Sequence, residues 1–129
     1  MQNLEQIRAA KALNVAAQTS KMAVSKLPAM ILANGLLATA AFASETKKDG
    51  KTPKRREMDA AFTGTAEHLA TPVLGLSVLA NCKSGSDLIG KLSGADSIAL
   101  QRATSEALAF LAYVKRFAIK EGREEKDDE

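Results

Sequence analysis

Residues 26–43 read KLPAMILANGLLATAAFA, and how this stretch is understood decides the fold. Wound on a helix, Met30, Ile31, Leu32, Leu36, Leu37, Ala38 and Phe42 leave no side polar, so the segment must be surrounded. Only Asn34, Gly35 and Thr39 interrupt it. Crossing a bilayer takes about 20 apolar residues, and this run is shorter with Asn-Gly in its middle. A second reading is a secretory signal. Lys21 and Lys26 precede the run, and it closes on Ala41-Phe42-Ala43-Ser44, an A-x-A cleavage pattern. Against a signal stands the length of helical sequence upstream, where only a short charged lead is expected. The favoured reading is a buried helix capped by Ser25, with Pro28 in its first turn. The alternative is a secreted or membrane-associated helical protein processed near Ala43 and Ser44.

Upstream, Asn3 and Gln6 have the spacing of a capping box. No proline or glycine follows before residue 28, so a first helix is expected from Leu4 to about Ser25. Ala9, Leu13, Ala16, Ala17, Ser20 and Val24 would make its close-contact face. Leu4, Arg8, Lys11, Val15, Gln18 and Met22 would make a mixed, partly covered one.

Downstream, residues 45–57, ETKKDGKTPKRRE, hold six basic and three acidic residues with no apolar period. They read as a mobile basic loop. A third helix is expected from Glu57 or Met58 to Ala70, with Met58, Phe62, Thr65 and Leu69 on one face and Pro72 beyond its end. Residues 73–81 are apolar but short, and helix is the expectation. Residues 83–87 read as a turn, and Ser86 or Asp87 opens a short helix to Leu92. Asp96 is the expected cap of a last helix from Ser97 to about Glu121, whose broad apolar face runs from Leu100 to Ala118.

Composition supports this helical reading. Of 129 residues, 24 are alanine, five are aromatic and none is tryptophan, a bias towards close-packed helices rather than strands. The expected fold is therefore all-α, a single-domain helical bundle of about five to six helices over residues 1–120. Residues 121–129 are expected to form an acidic, disordered tail. Cys82 is the only cysteine, which excludes an internal disulfide or a cysteine zinc cluster and suits a cytoplasmic setting. The formal net charge of +3 conceals an asymmetry: residues 121–129 carry six acidic and two basic residues, leaving 16 basic against 9 acidic before them. A basic body attracts phosphate.

Chemistry is sparse. His68 is the only histidine, so there is no paired-histidine metal site, and a surface or interhelical place suits it better than a catalytic one. Cys82 lies beside Lys83, which would lower a thiol pKa, yet no second residue completes a nucleophile. No phosphate-binding glycine loop of the G-x-x-x-x-G-K type occurs. No catalytic residue, metal or cofactor is expected, and the scarce aromatics argue against a base-stacking platform. Recognition of nucleic acid would run through phosphates. On the last helix Arg102, Glu106, Ala109, Tyr113, Arg116 and Lys120 share a ridge, with Glu106 neutralising Arg102 at i,i+4. The candidates for facing a phosphate backbone, expected to be RNA if the resemblance described next holds, are Arg8, Lys11, Lys26, Arg102, Arg116 and Lys120, with the loop cations Lys54, Arg55 and Arg56.

Three blocks carry a family resemblance: LEQIRAAKAL (4–13), SKLPAMILANGLLATAAFA (25–43) and QRATSEALAFLAYVKRFA (101–118). Together they resemble the small helical subunit of the type III-B CRISPR effector, the Cmr complex. Leu100 stands where that family often has tyrosine, and Tyr113 where tryptophan is common. The resemblance implies a non-catalytic all-α subunit in antiviral defence. Its copies would stack beside repeated backbone subunits and stabilise a guide RNA paired with target RNA, with other Cmr subunits as partners and no membrane. Lys115 and Arg116 fall within the family's KRFA motif.

Overall fold

A computed structural model describes residues 3–45 and 53–119. The acidic tail, Lys120 and residues 46–52 of the basic segment lie outside the described residues. Six α-helices follow one another: α1 (Leu4–Ala16), α2 (Lys21–Asn34), α3 (Leu36–Ser44), α4 (Pro53–Leu69), α5 (Gly85–Leu92) and α6 (Ser97–Phe117). Two 3-10 turns, Pro72–Leu74 and Ser77–Leu79, join α4 to α5, and no strand occurs among the described residues. The all-α single domain is as expected from the sequence.

The boundaries inside the first 45 residues differ from expectation. The Asn3–Gln6 capping box forms, with both bonds at 2.9 Å, but α1 stops at Ala16. Ser20 caps α2, accepting from the Ala23 N–H, while its hydroxyl donates to Glu57 Oε1 at 2.9 Å. Thr19 Oγ1 donates to the Glu57 carbonyl at 2.8 Å. Helix propensity is a weak preference, and these bonds to α4 outweigh it. The break also rotates the first helix: Ala12, Val15 and Ala16 are buried, whereas Leu13, expected on the contact face, is 59% exposed.

Because α2 begins at Lys21, Pro28 sits inside the helix instead of in its first turn. Gly35, with φ +97°, then ends α2 and opens α3. Its N–H donates to Ile31 O at 2.8 Å, and its carbonyl accepts from the N–H and hydroxyl of Thr39. A Cβ at residue 35 would meet nothing, so the demand for glycine is purely conformational. The apolar stretch is thus two helices hinged at Gly35, not one strut. Leu27, Ile31, Leu36, Ala40 and Ala43 are buried along it. Cleavage after Ala43 would remove three helices and their share of the core, and no described helix is long and apolar enough to cross a membrane.

The central element is α4, which packs against each of the other five helices. Its expected face is inward: Met58, Phe62, Thr65 and Leu69 are all buried. At Gly64 a Cβ would collide with the Val15 side chain, so glycine lets α1 approach α4 closely. Helix α4 starts at Pro53, earlier than the loop reading allowed. Lys54 and Arg55 are buried in consequence. Arg55 donates to Phe42 O at 2.7 Å and to Glu45 Oε1 at 3.1 Å, and its guanidinium lies 4.0 Å over the Phe42 ring. A cation here satisfies a terminal carbonyl of α3 and its dipole.

Residues 73–81 form turns rather than the expected helix, because Gly75 (φ +75°) and Asn81 (φ +65°) take left-handed conformations. Ser84 caps α5, and Asp96 caps α6 by accepting from the Ala99 N–H at 2.8 Å. Helix α6 ends at Phe117, where Ala118 turns extended. Its apolar face, Ala103, Ala107, Phe110, Leu111 and Val114, is fully buried.

Candidate functional site

The residues expected to carry solvent-facing charge divide into three groups. Arg8 on α1 is half-buried and paired. Its Nε and a terminal guanidinium nitrogen donate to the two carboxylate oxygens of Glu106, both at 2.8 Å. His68 Nε2 lies 2.8 Å from Glu106 Oε2, so one carboxylate on α6 ties α1 and α4 together. The His68 ring is fully buried and stacks on Phe110, with centroids 4.3 Å apart and planes 11° from parallel.

Burial holds His68 below its ordinary pKa against the opposing pull of Glu106. Burial pushes Glu106 up, but the hydrogen bonds from Arg8 and His68 outweigh it and leave the carboxyl lowered. The same carboxylate raises Arg8. The arrangement is an ionised pair holding a neutral imidazole whose Nε2–H donates, and Nδ1 has no partner. The buried imidazole clamps helices, while Arg8 and Glu106 keep part of their surface in solvent. Burial likewise pushes the Cys82 thiol up, opposite to the shift a nucleophile beside Lys83 would need. No group of metal-ligating residues occurs among the described residues.

Glu106 therefore does not neutralise Arg102, as its i,i+4 spacing suggested. Arg102 is exposed and donates to Leu74 O at 3.1 Å, and no described carboxylate pairs with it. The ridge on α6 is interrupted, because α1 partly covers Glu106, and Tyr113 and Ala109 are half-buried. Lys54 and Arg55 point into the fold, which sets them apart from the solvent-facing role expected of them. Lys11, Lys26, Arg56 and Arg116 are exposed, as is Lys115. Lys120 lies outside the described residues. Arg102 and Arg116 stand about 21 Å apart along α6 at 1.5 Å per residue.

Two adjoining cavities that sequence reasoning missed open at one end of the bundle. The larger, about 600 Å3, lies between the first turns of α1, the turn at Pro72–Leu74 and the first half of α6. The smaller, about 350 Å3, reaches from Val78 to Ile98, and Arg102 and Leu76 line both. A signal existed in Ile98, which departs from the apolar face of α6, but Val73 and Leu4 come beside α6 only in the folded chain.

The described residues thus form a small all-helical domain with basic side chains in solvent and a cleft at one end. The family model described as CRISPR-associated protein (Cas_Cmr5) matches residues 2–121. The chain belongs to this family, and so is a CRISPR-associated subunit of the Cmr complex. No curated protein and no solved structure matches.

Proposed function

We propose that the chain acts as a non-catalytic scaffold in the cytoplasmic type III-B ribonucleoprotein, stabilising the guide RNA paired with target RNA through phosphate contacts. Its membership of the Cmr small-subunit family over nearly the whole chain carries this reading. The placement of the cations supports it: Lys11, Lys26, Lys115 and Arg116 are exposed, and no described carboxylate pairs with them. Copies would stack head to tail, with residues 121–129 of one meeting basic residues of the next, since a heterologous contact that does not close continues along a filament.

The test is RNA affinity of the isolated chain measured across salt concentration. Removing one cation that neutralises a phosphate lowers the slope of log affinity against log salt by about 0.7–0.9. Reversing Lys11, Lys26 and Arg116 to Glu is expected to weaken binding to single-stranded RNA and to the guide–target duplex and to flatten that slope, with helicity retained. Unchanged affinity and slope refute the phosphate reading. Deleting 121–129 is expected to reduce self-association at low salt, and unaltered sedimentation refutes the stacking contact.

A further inference from the structure

The two cavities that meet at Arg102 form one cleft, and its walls are unusual for this molecule. Seven large apolar side chains stand exposed among the described residues, and four of them, Leu4, Val73, Val78 and Ile98, line this cleft. Val73 and Ile98 are 66% and 65% exposed. Apolar surface gathered in a concavity marks a place where another surface is buried.

The polar groups narrow the occupant. Glu106, at the edge of the larger cavity, is spent on Arg8 and His68. Asp96, in the smaller cavity, accepts from the Ala99 N–H as the cap of α6. Arg102 is different: it lines both cavities, its one described bond is to a backbone carbonyl, and it forms no ion pair with a described carboxylate. A guanidinium with no ion-pair partner, set between exposed Leu4 and Val73 in one cavity and Val78 and Ile98 in the other, complements a carboxylate flanked by apolar side chains, since Arg and carboxylate pair through two parallel hydrogen bonds.

Nucleic acid fits the cleft poorly. Its lining contains no aromatic ring for a base to stack on, and of its two cations Arg8 is already paired with Glu106, which together with Asp96 puts two carboxylates on the same walls, so the cleft cannot track a run of phosphates. The chain's own tail fits no better. Residues 121–129, EGREEKDDE, contain no apolar side chain, and exposed Ile119 follows the far end of α6, about 23 Å of helix from Arg102.

We infer that this cleft docks a short segment of another protein subunit, one that presents an aspartate or glutamate to Arg102 with an apolar side chain on either side of it. The two basins take the apolar anchors, and the ion pair fixes their register, as hot-spot residues do at the desolvated centre of an interface. The inference rests on membership of the multisubunit complex but not on any RNA contact by this chain.

The test uses the complex assembled from its subunits and guide RNA, with benzoylphenylalanine replacing Val73 as a photo-crosslinker. The expected product joins residue 73 to a peptide of a different subunit containing an acidic residue with apolar neighbours. Arg102→Glu is expected to lower incorporation into the complex roughly tenfold or more, and reversing the partner's acidic residue to Lys is expected to restore it. Val73→Asp is a second variant at a position too exposed to disturb folding, and helicity is measured for both. Crosslinks to RNA, crosslinks to a second copy of this chain, no crosslink in an assembled complex, or normal incorporation of both variants would each overturn the inference. RNA affinity of the isolated chain, measured in parallel, reports on the phosphate reading separately.

Discussion

Replacing Glu106 with leucine is the most informative single perturbation of this fold. The carboxylate accepts two hydrogen bonds from Arg8 and one from His68, each at 2.8 Å, and the exposures of the Arg8 and Glu106 side chains are 22% and 12%. Leucine removes all three acceptor interactions without opening a large void. His68, fully buried, cannot recover a partner from water, and an orphaned buried donor costs about 1–3 kcal/mol. Arg8 reaches solvent on one side, so its loss is nearer the surface-pair value of about 1 kcal/mol. The expected loss is therefore about 2–4 kcal/mol, a large part of the roughly 5–15 kcal/mol that holds such a domain folded. Glu106→Gln keeps one acceptor oxygen and is expected to lose less. Urea denaturation followed by circular dichroism measures both, with a lowered midpoint at unchanged slope. A Glu106→Leu protein within about 0.5 kcal/mol of the parent would refute the clamp, since that is the scatter of ordinary surface substitutions.

The same cluster sets the direction of pH dependence. His68 is held below its ordinary value of 6.5, so between that value and its folded pKa the unfolded chain binds a proton that the folded one resists. Glu106 is held below its ordinary 4.5, so its contribution is present above that value and is lost as pH falls through its folded pKa. Both make the unfolded state bind more protons, and stability is expected to fall on acidification, first from His68 and then from Glu106. Neighbouring Arg8 and Lys11 reinforce the His68 shift. In Glu106→Leu the second, more acidic part of the dependence is expected to vanish; an unchanged profile would exclude Glu106 as its source.

Two further substitutions test the departures from the sequence reading. Gly35→Ala is expected to cost about 1–3 kcal/mol through backbone strain alone, because φ is +97° while the space beside it is open. A thermal midpoint equal to the parent's would show that the hinge is not required. Arg55→Lys is expected to destabilise nearly as much as Arg55→Ala, since an ammonium cannot reproduce the guanidinium's bond to Phe42 O, its pairing with Glu45 and its stacking over Phe42. Stability with RNA affinity measured on the folded variant checks this: weakened RNA binding at full stability would return Arg55 to the phosphate-facing set.

How much of this was legible in the sequence depended on whether the signal was local. The caps at Asn3 and Asp96, the apolar face of α6 and the inward face of α4 are written in residues a few positions apart, and all four formed. The break at residues 17–20 was not legible, because its cause is Glu57, some forty positions away. Gly35 was visible as an interruption, but its positive φ is a fact of the folded chain. Composition marks where the cations are, and it does not distinguish a solvated cation from one folded under a neighbouring helix. Arg55 fills the space over Phe42 with its stem and plane while its charge meets the end of α3. The family blocks did carry to the assembly, because LPAMILANGL and KRFA were read together in order.

The placement of Glu106 links the interior to the surface. On an isolated α6 it would pair with Arg102 four residues earlier, and the end of the bundle would present a neutralised, ordinary face. Two partners from other helices compete for the same carboxylate, and they gain from partial burial, where an ion pair is screened less than in water. Packing of α1 and α4 against α6 thus leaves Arg102 without an ion pair to any described carboxylate, at the seam of the two cavities. The clamp and the cleft consequently make a coupled prediction. In Glu106→Leu, Arg102 remains unpaired and docking should persist wherever the protein stays folded. In Arg8→Leu, Glu106 is deprived of its chief partner and becomes available to Arg102, and incorporation into the complex should fall although no residue of the partner has changed. Equal incorporation of Arg8→Leu and the parent, at matched stability, would separate the two features and show that Arg102 owes nothing to the clamp.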